Sequence, residues 1–263
     1  MIVEEDAGKF SVTLSEPELW IIANQCGEGL IYGMSEFSDE TLSEAALESA
    51  LNNLRETGAI WIGPDGEESI DELIFGMVYS CMYSRDMMTI RNNAFEKGVY
   101  FHFLPDWNLS FSKIPDGYLL VYYQNRDVLQ KHFITQYLSN LKGDDSEVNF
   151  HCTRVPLEEA TYLWSDGKPK EGIELISEFM EGDKFLSEAF LQDIVMGNKY
   201  EVNAHFNRNN DHSASCKIEI LVGEESNYLV RRIFSVKEDK EVLHVQGMPP
   251  ELILHSVYQL MPK

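Results

Sequence analysis

Basic residues are scarce in this chain. There are 21 Lys and Arg against 44 Asp and Glu in 263 residues, a formal net charge of -23. A duplex or single-stranded nucleic acid is gripped by cations that neutralise phosphates, so this balance argues against a nucleic-acid partner, and equally against an anionic membrane surface. Four cysteines, Cys26, Cys81, Cys152 and Cys216, lie far apart with no Cys-x-x-Cys spacing, which indicates neither a disulfide scaffold nor a zinc ribbon. No apolar run approaches the ~20 residues of a membrane-spanning helix, so no direct membrane insertion is expected. The opening "MIVEEDAGKF" is acidic where a signal peptide is basic, and the expected location is the cytoplasm.

Catalytic signatures are equally sparse. There is no Gly-x-x-x-x-Gly-Lys phosphate loop, and the glycines of "GEGLIYG" have the wrong spacing for one. Ser110 to Lys113, "SFSK", matches Ser-x-x-Lys in form but falls on an expected strand, whereas that motif opens a helix in acyl enzymes. His151 beside Cys152 is no nucleophile and base, because neighbours on a strand point to opposite faces. His205, His212 and Cys216 fall within one expected hairpin and leave a metal site open, although their spacing fits no zinc pattern. No cofactor is implied.

What the chain does have is ordered patterning. Ser15 and Glu18 form a capping-box pair with Pro17 in the first turn, so a helix starts near Glu16 after the alternating "FSVT". A second helix, Leu42 to Thr57, is expected to begin after Ser38 and Asp39 and to stop at Gly58. "AIWI" reads as a strand, "GPDG" as a turn and "IDELIFGMVYSCMY" as a buried helix. This order outlines a winged-helix-like unit, but its second helix carries Glu44, Glu48 and Glu56 against Arg55 alone, unsuited to a DNA groove.

From residue 85 the period changes to two. "DMMTIRNN", "GVYFHFLP", "WNLSFSKIP" and "GYLLVYYQ" read as a four-stranded antiparallel meander, closed by the helix "RDVLQKHFITQYLSNL". "KGDDSE" has no apolar residue and reads as a linker. The pattern then returns. A helix is expected from "VPLEEATYLW", with Pro156 near its first position and Glu158 and Glu159 in its first turn, followed by "EGIELISEFM" and "FLSEAFLQDIVMG". Four strands, "KYEVNAHFN", "SCKIEILV", "NYLVRRIFSV" and "EVLHVQG", precede a last helix. Val128, Leu129 and Phe133 of the first closing helix match Leu252, Ile253 and Val257 of the second. The expected fold is α+β, two pseudo-symmetric halves over 1–142 and 148–263 related by an internal duplication, each ending in a meander and a closing helix. Whether the halves share one sheet is open.

This order of elements, with the capped "ELW" helix, the "LNNLRETGAIWI" segment, the "DG" turn and the duplicated meanders, resembles the EspG-type secretion chaperones of type VII (ESX) systems and related chaperone-like proteins of Firmicutes. The resemblance rests on pattern across nearly the whole chain. It implies a non-enzymatic, ATP-independent chaperone that keeps a secreted helical substrate of the WXG, LXG or PPE kind soluble, gripping it chiefly through the second half. Candidate contacts are Trp107 at the first meander's hairpin tip and Tyr228, Arg231, Arg232 and Phe234 on the strand "NYLVRRIF", because Trp, Tyr and Arg dominate interface hot spots. Two other readings are weighed against it: an immunity protein neutralising a basic toxin, and a hydrolase or metal enzyme with a dispersed site.

Overall fold

The computed structural model describes every residue except 7, 33, 35–36, 38–41, 93–97, 106, 144–145, 209–211, 236–239 and 262–263, and omits side chains at 2, 6, 206–208, 212–214, 234–235 and 240. The elements run β1 (Ile2–Asp6), β2 (Lys9–Leu14), α1 (Glu16–Cys26), α2 (Glu44–Glu56), β3 (Ile60–Ile62), β4 (Glu68–Ile70), α3 (Glu72–Tyr83), β5 (Asp86–Asn92), β6 (Val99–Leu104), β7 (Trp107–Ile114), β8 (Gly117–Tyr123) and α4 (Arg126–Tyr137). The second half adds β9 (Asn149–Cys152), α5 (Arg154–Ser165), α6 (Pro169–Ser177), α7 (Lys184–Val195), β10 (Asn198–Arg208), β11 (His212–Val222), β12 (Asn227–Ser235), β13 (Lys240–Gly247) and α8 (Pro250–Tyr258). The fold is mixed α+β, and among the described residues no helix is long and apolar enough to cross a membrane.

Local chemistry explains most boundaries. Ser15 and Glu18 cap α1 reciprocally, and the buried Glu18 also takes an ion pair from the Met1 ammonium at 3.0 Å and a hydrogen bond from Asn53 of α2. Helix α2 ends at Thr57, and Gly58 follows at φ 75°, the left-handed turn a glycine adopts at no steric cost. Its start differs from the expectation. Ser43 caps it, two residues inside the expected start, because its hydroxyl reaches the Ala46 N–H; Ser38 and Asp39 lie outside the described residues. Helix α5, by contrast, starts earlier than expected, at Arg154, so Pro156 occupies the third helical position, still free of an intrahelical N–H partner, and Glu158 lies one turn on from Arg154.

Eleven strands form one antiparallel sheet, in the order β1-β2-β8-β7-β6-β5-β10-β11-β12-β13-β9; β3 and β4 form a separate hairpin. The two meanders meet at the β5/β10 seam, where Ile90 faces Val202 and Met88 faces Ala204. The halves therefore share one sheet. The segment expected as a linker is tied across it: buried Asn227 accepts from Lys142 N–H and donates to Lys142 C=O, both at 2.7 Å, and Gly247 N–H reaches Val148 C=O at 2.7 Å.

Alternation assigns the two faces. On one, α4 and α8 cover the centre with Leu129, Phe133, Ile253 and Val257 packed on Met88, Ile90, Phe101, Val202 and Ile220. Of the residues matched between the closing helices, Leu129, Phe133, Ile253 and Val257 meet in one core and Val128 packs against it, whereas Leu252 is 51 % exposed. The opposite face carries two separate cores. Helices α1 to α3 pack over β2, β8 and β7 through Leu19, Ile22, Met77 and Val78 on Val12, Leu109, Phe111 and Leu120. Helices α5 to α7 pack over β9, β13 and β12 through Ala160, Ile176, Phe190 and Leu191 on Phe150, Val230, Leu243 and Val245.

Candidate interaction surface

Between those two helical groups no described helix covers the sheet. Helix α3 reaches β6 on one side, and the α5 to α7 group reaches β11 through Leu221 on the other. On the intervening strands the residues facing this side are Met87, Thr89 and Arg91 of β5 and Lys199, Glu201, Asn203 and His205 of β10, all half-buried or exposed, while their neighbours toward α4 and α8 are buried. At ~4.8 Å per strand, β6 to β11 spans about 14 Å. That gap accommodates one α-helix, about 10–12 Å across with its side chains.

The floor of this groove is charged and cross-linked. Glu219 on β11, 5 % exposed, accepts from Arg154 at the start of α5, lies 2.9 Å from Lys199 Nζ and 3.6 Å from Lys217 Nζ. Glu201, its register partner on β10, takes Lys217 at 2.9 Å and Lys199 at 3.4 Å. Arg91 stands opposite Glu201 on β5, its guanidinium donating to Tyr100 OH at 3.2 Å. Burial alone raises the Glu219 pKa, but the Arg154 and Lys199 bonds outweigh it and hold the carboxyl down at about 2. Lys217 likewise holds the Glu201 carboxyl below its ordinary value against its burial. Four cations, Arg91, Arg154, Lys199 and Lys217, thus face the two floor carboxylates and Glu158 of α5, which pairs with Arg154 at 3.2 Å, in a chain that elsewhere is strongly acidic.

One wall of the groove carries apolar side chains among polar ones, Glu158, Thr161 and Ser165 included. A cleft of about 370 Å³ opens between α5, the end of α7 and the strands, lined by Leu157, Tyr162, Ile194, Leu221 and Val230 above Arg154 and Glu219. Tyr162 is 66 % exposed on its rim, and Val155 and Met196, next in sequence to lining residues, are exposed too. The arrangement offers apolar contact along one side and charge-assisted hydrogen bonds below. Such donors select the orientation of a bound segment.

The residues expected at the contact face are scattered by the fold. Tyr228 is 2 % exposed: its ring packs edge-on to Phe190 at 5.0 Å and its hydroxyl donates to Asp193 at 2.7 Å. It is a core residue, and the expectation of an exposed contact is corrected. Trp107 is no free hairpin tip either; its indole lies on Gly76 of α3 and against Tyr122 at 4.9 Å, half-buried at the margin of the first-half core. Arg231 and Arg232 alternate across β12, Arg231 donating to Ser256 of α8 at 2.9 Å and Arg232 pairing with Glu241 at 3.1 Å. The Phe234 side chain lies outside the described residues. The sequence reading missed Arg154, Lys199, Lys217, Glu201 and Glu219; the available signal was charge placed every second residue in β10 and β11, opposite the apolar alternation.

The metal reading also meets geometry. His205 pairs with Ser215 and Cys216 with Ala204, so imidazole and thiol project from opposite faces of the hairpin, and the His212 side chain lies outside the described residues. Among the described residues no three His, Cys, Asp or Glu side chains converge as a metal site. Ser110 hydrogen-bonds Tyr123 OH at 2.9 Å inside the sheet while the Lys113 ammonium sits over the Tyr118 ring, so the two share no chemistry. His151 is exposed while Cys152 is buried on the other face of β9. No protein-family model matches the chain, and no curated protein matches it.

Proposed function

We propose that this chain is a cytoplasmic, ATP-independent holding chaperone that seats one helical segment of a secreted protein in the groove over β5, β10 and β11, with no catalytic step. The observation that carries this reading is the groove itself, one helix wide, floored by Arg91, Arg154, Lys199 and Lys217 with Glu201 and Glu219 among them and Glu158 beside Arg154, and walled on one side by Leu157, Tyr162 and Ile194. An amphipathic helix laid there buries its apolar stripe on the α5 wall and presents carboxylates to the floor cations. The remaining negative surface of the chaperone repels both its own copies and acidic bystanders, which keeps the loaded complex dispersed. The resemblance to EspG-type chaperones implies the same class of client, a helical substrate of the WXG, LXG or PPE kind.

Co-purification from the native cell tests the proposal. The tagged chain is compared with Asn203→Tyr, which raises a ring from the groove floor on an exposed strand face without removing a charge. The expected result is stoichiometric recovery of a helical secreted protein with the parent chain and at least a tenfold loss with Asn203→Tyr, at equal thermal stability. Equal recovery with both chains, or no helical secreted protein with either, overturns the proposal.

A further inference from the structure

On the sheet face opposite the groove, at the β9 edge, three basic side chains stand in one row across three strands. Arg231 of β12 is the register partner of His244 of β13, and His244 is the partner of His151 of β9. Side chains directly opposite one another in antiparallel strands are neighbours, ~4.5–5.5 Å apart at Cβ. The two imidazoles stack nearly parallel, 4.5 Å between centroids and 8° between planes. His244 Nε2 lies 2.7 Å from Asn149 Oδ1, and Arg231 is steadied by Ser256 of α8.

Among the described residues the row has no acidic counterpart. Arg154 and Arg232 each hold a carboxylate, whereas among the described residues no carboxylate comes within ion-pair distance of Arg231, His244 or His151. The groups flanking the row on the same face are Asn149 of β9, Gln246 of β13, Leu229 and Ile233 of β12, and Ser256 of α8, none of them charged. With 44 acidic residues against 21 basic ones, an unneutralised row of three basic groups is against the trend of the whole chain. A stacked imidazole and a guanidinium disfavour the charged form of His244, and an anion held over the row offsets that. A phosphoryl group, with three terminal oxygens and up to two charges, engages more of these donors than a carboxylate does.

We propose that Arg231, His244 and His151 form a binding site for the phosphoryl group of a small phosphate compound, separate from the groove. Burial, the His151 ring and Arg231 hold the His244 pKa below its ordinary value in the unliganded chain, so binding is linked to proton uptake at His244.

Imidazole Cε1–H resonances of the full chain, followed by NMR while inorganic phosphate or glycerol phosphate replaces chloride at constant ionic strength, test the site. The expected result is a saturable shift of His151 and His244 with a raised titration midpoint for His244, unmoved resonances for His255 on α8, and at least tenfold weaker binding in Arg231→Gln. Saturation by inorganic phosphate assigns the free anion; saturation by glycerol phosphate alone assigns a phosphomonoester. His151→Gln, at the exposed edge strand, repeats the test if Arg231→Gln perturbs folding. Shifts that do not saturate, that appear equally at His255, or that persist in both variants overturn the site.

Discussion

A buried imidazole ties the stability of this fold to pH. His102 on β6 is wholly buried, its Nδ1 2.6 Å from Ser84 Oγ and its Nε2 without a hydrogen-bond partner among the described atoms, and burial holds its pKa down at about 3. The unfolded chain takes up this proton near pH 6.5 and the folded one does not. Stability at this residue is therefore complete above about 6.5 and is lost progressively as pH falls toward 3. His132, held at about 4 by burial and Lys9, acts in the same direction. Thermal melts between pH 7 and 4 are expected to fall more steeply for the parent chain than for His102→Gln, which keeps a partner for Ser84 but takes up no proton; parallel curves contradict this account. Tyr228 supplies a second prediction at the same scale. Removing its hydroxyl from Asp193 in Tyr228→Phe costs about 1–2 kcal/mol, and removing the ring in Tyr228→Ala about 3–5 kcal/mol, measured by denaturant unfolding. Its aromatic identity was legible in the sequence as a hot-spot type, but its direction was not. On β12 the partner Asp193 comes from α7, 35 residues away in the chain, and only the assembled fold places it.

Elements were the most legible level, and the physical reason is that their signals are local. The Ser15/Glu18 capping box, Gly58 at the end of α2, the period-two runs of both meanders and their closing helices all hold in the structure. The misses follow from short-range competition: Ser43 displaces the expected cap because it is the hydroxyl nearest the first helical N–H groups, and Arg154 with Thr153 starts α5 ahead of Pro156. Strand β9 has only four residues and takes its identity from pairing with β13. Contact between α3 and β7 depends on a missing side chain. A Cβ at Gly76 would lie 2.6 Å from the Trp107 ring, below any real contact distance. Gly76→Ala is therefore expected to destabilise the chain by about 1–3 kcal/mol through overpacking, despite alanine's better helix propensity. Trp107→Leu in the same background should recover part of that loss. Additive losses in the double variant would contradict this packing.

For the molecule as a whole, the decisive pairing is β5 with β10, between strands more than a hundred residues apart in the chain. Each meander was readable alone, but nothing local in β5 names β10 as its neighbour, so the groove over their junction was not readable. The floor charges were visible as residues and invisible as a cluster, since Arg154, Lys199, Lys217, Glu201 and Glu219 come from a helix and two strands. The proposed function rests at this scale on shape and charge, a stretch of sheet that no described helix covers, locally cationic, in an acidic chain. A photo-activatable benzoylphenylalanine in place of Asn203, irradiated in the native cell, tests that claim most directly, with the same group at the exposed Asn52 of α2 as the control position. The account predicts cross-links from position 203, and not from position 52, to one helical segment of a secreted protein. Cross-links from 203 confined to this chain, or the same partners from both positions, would contradict it.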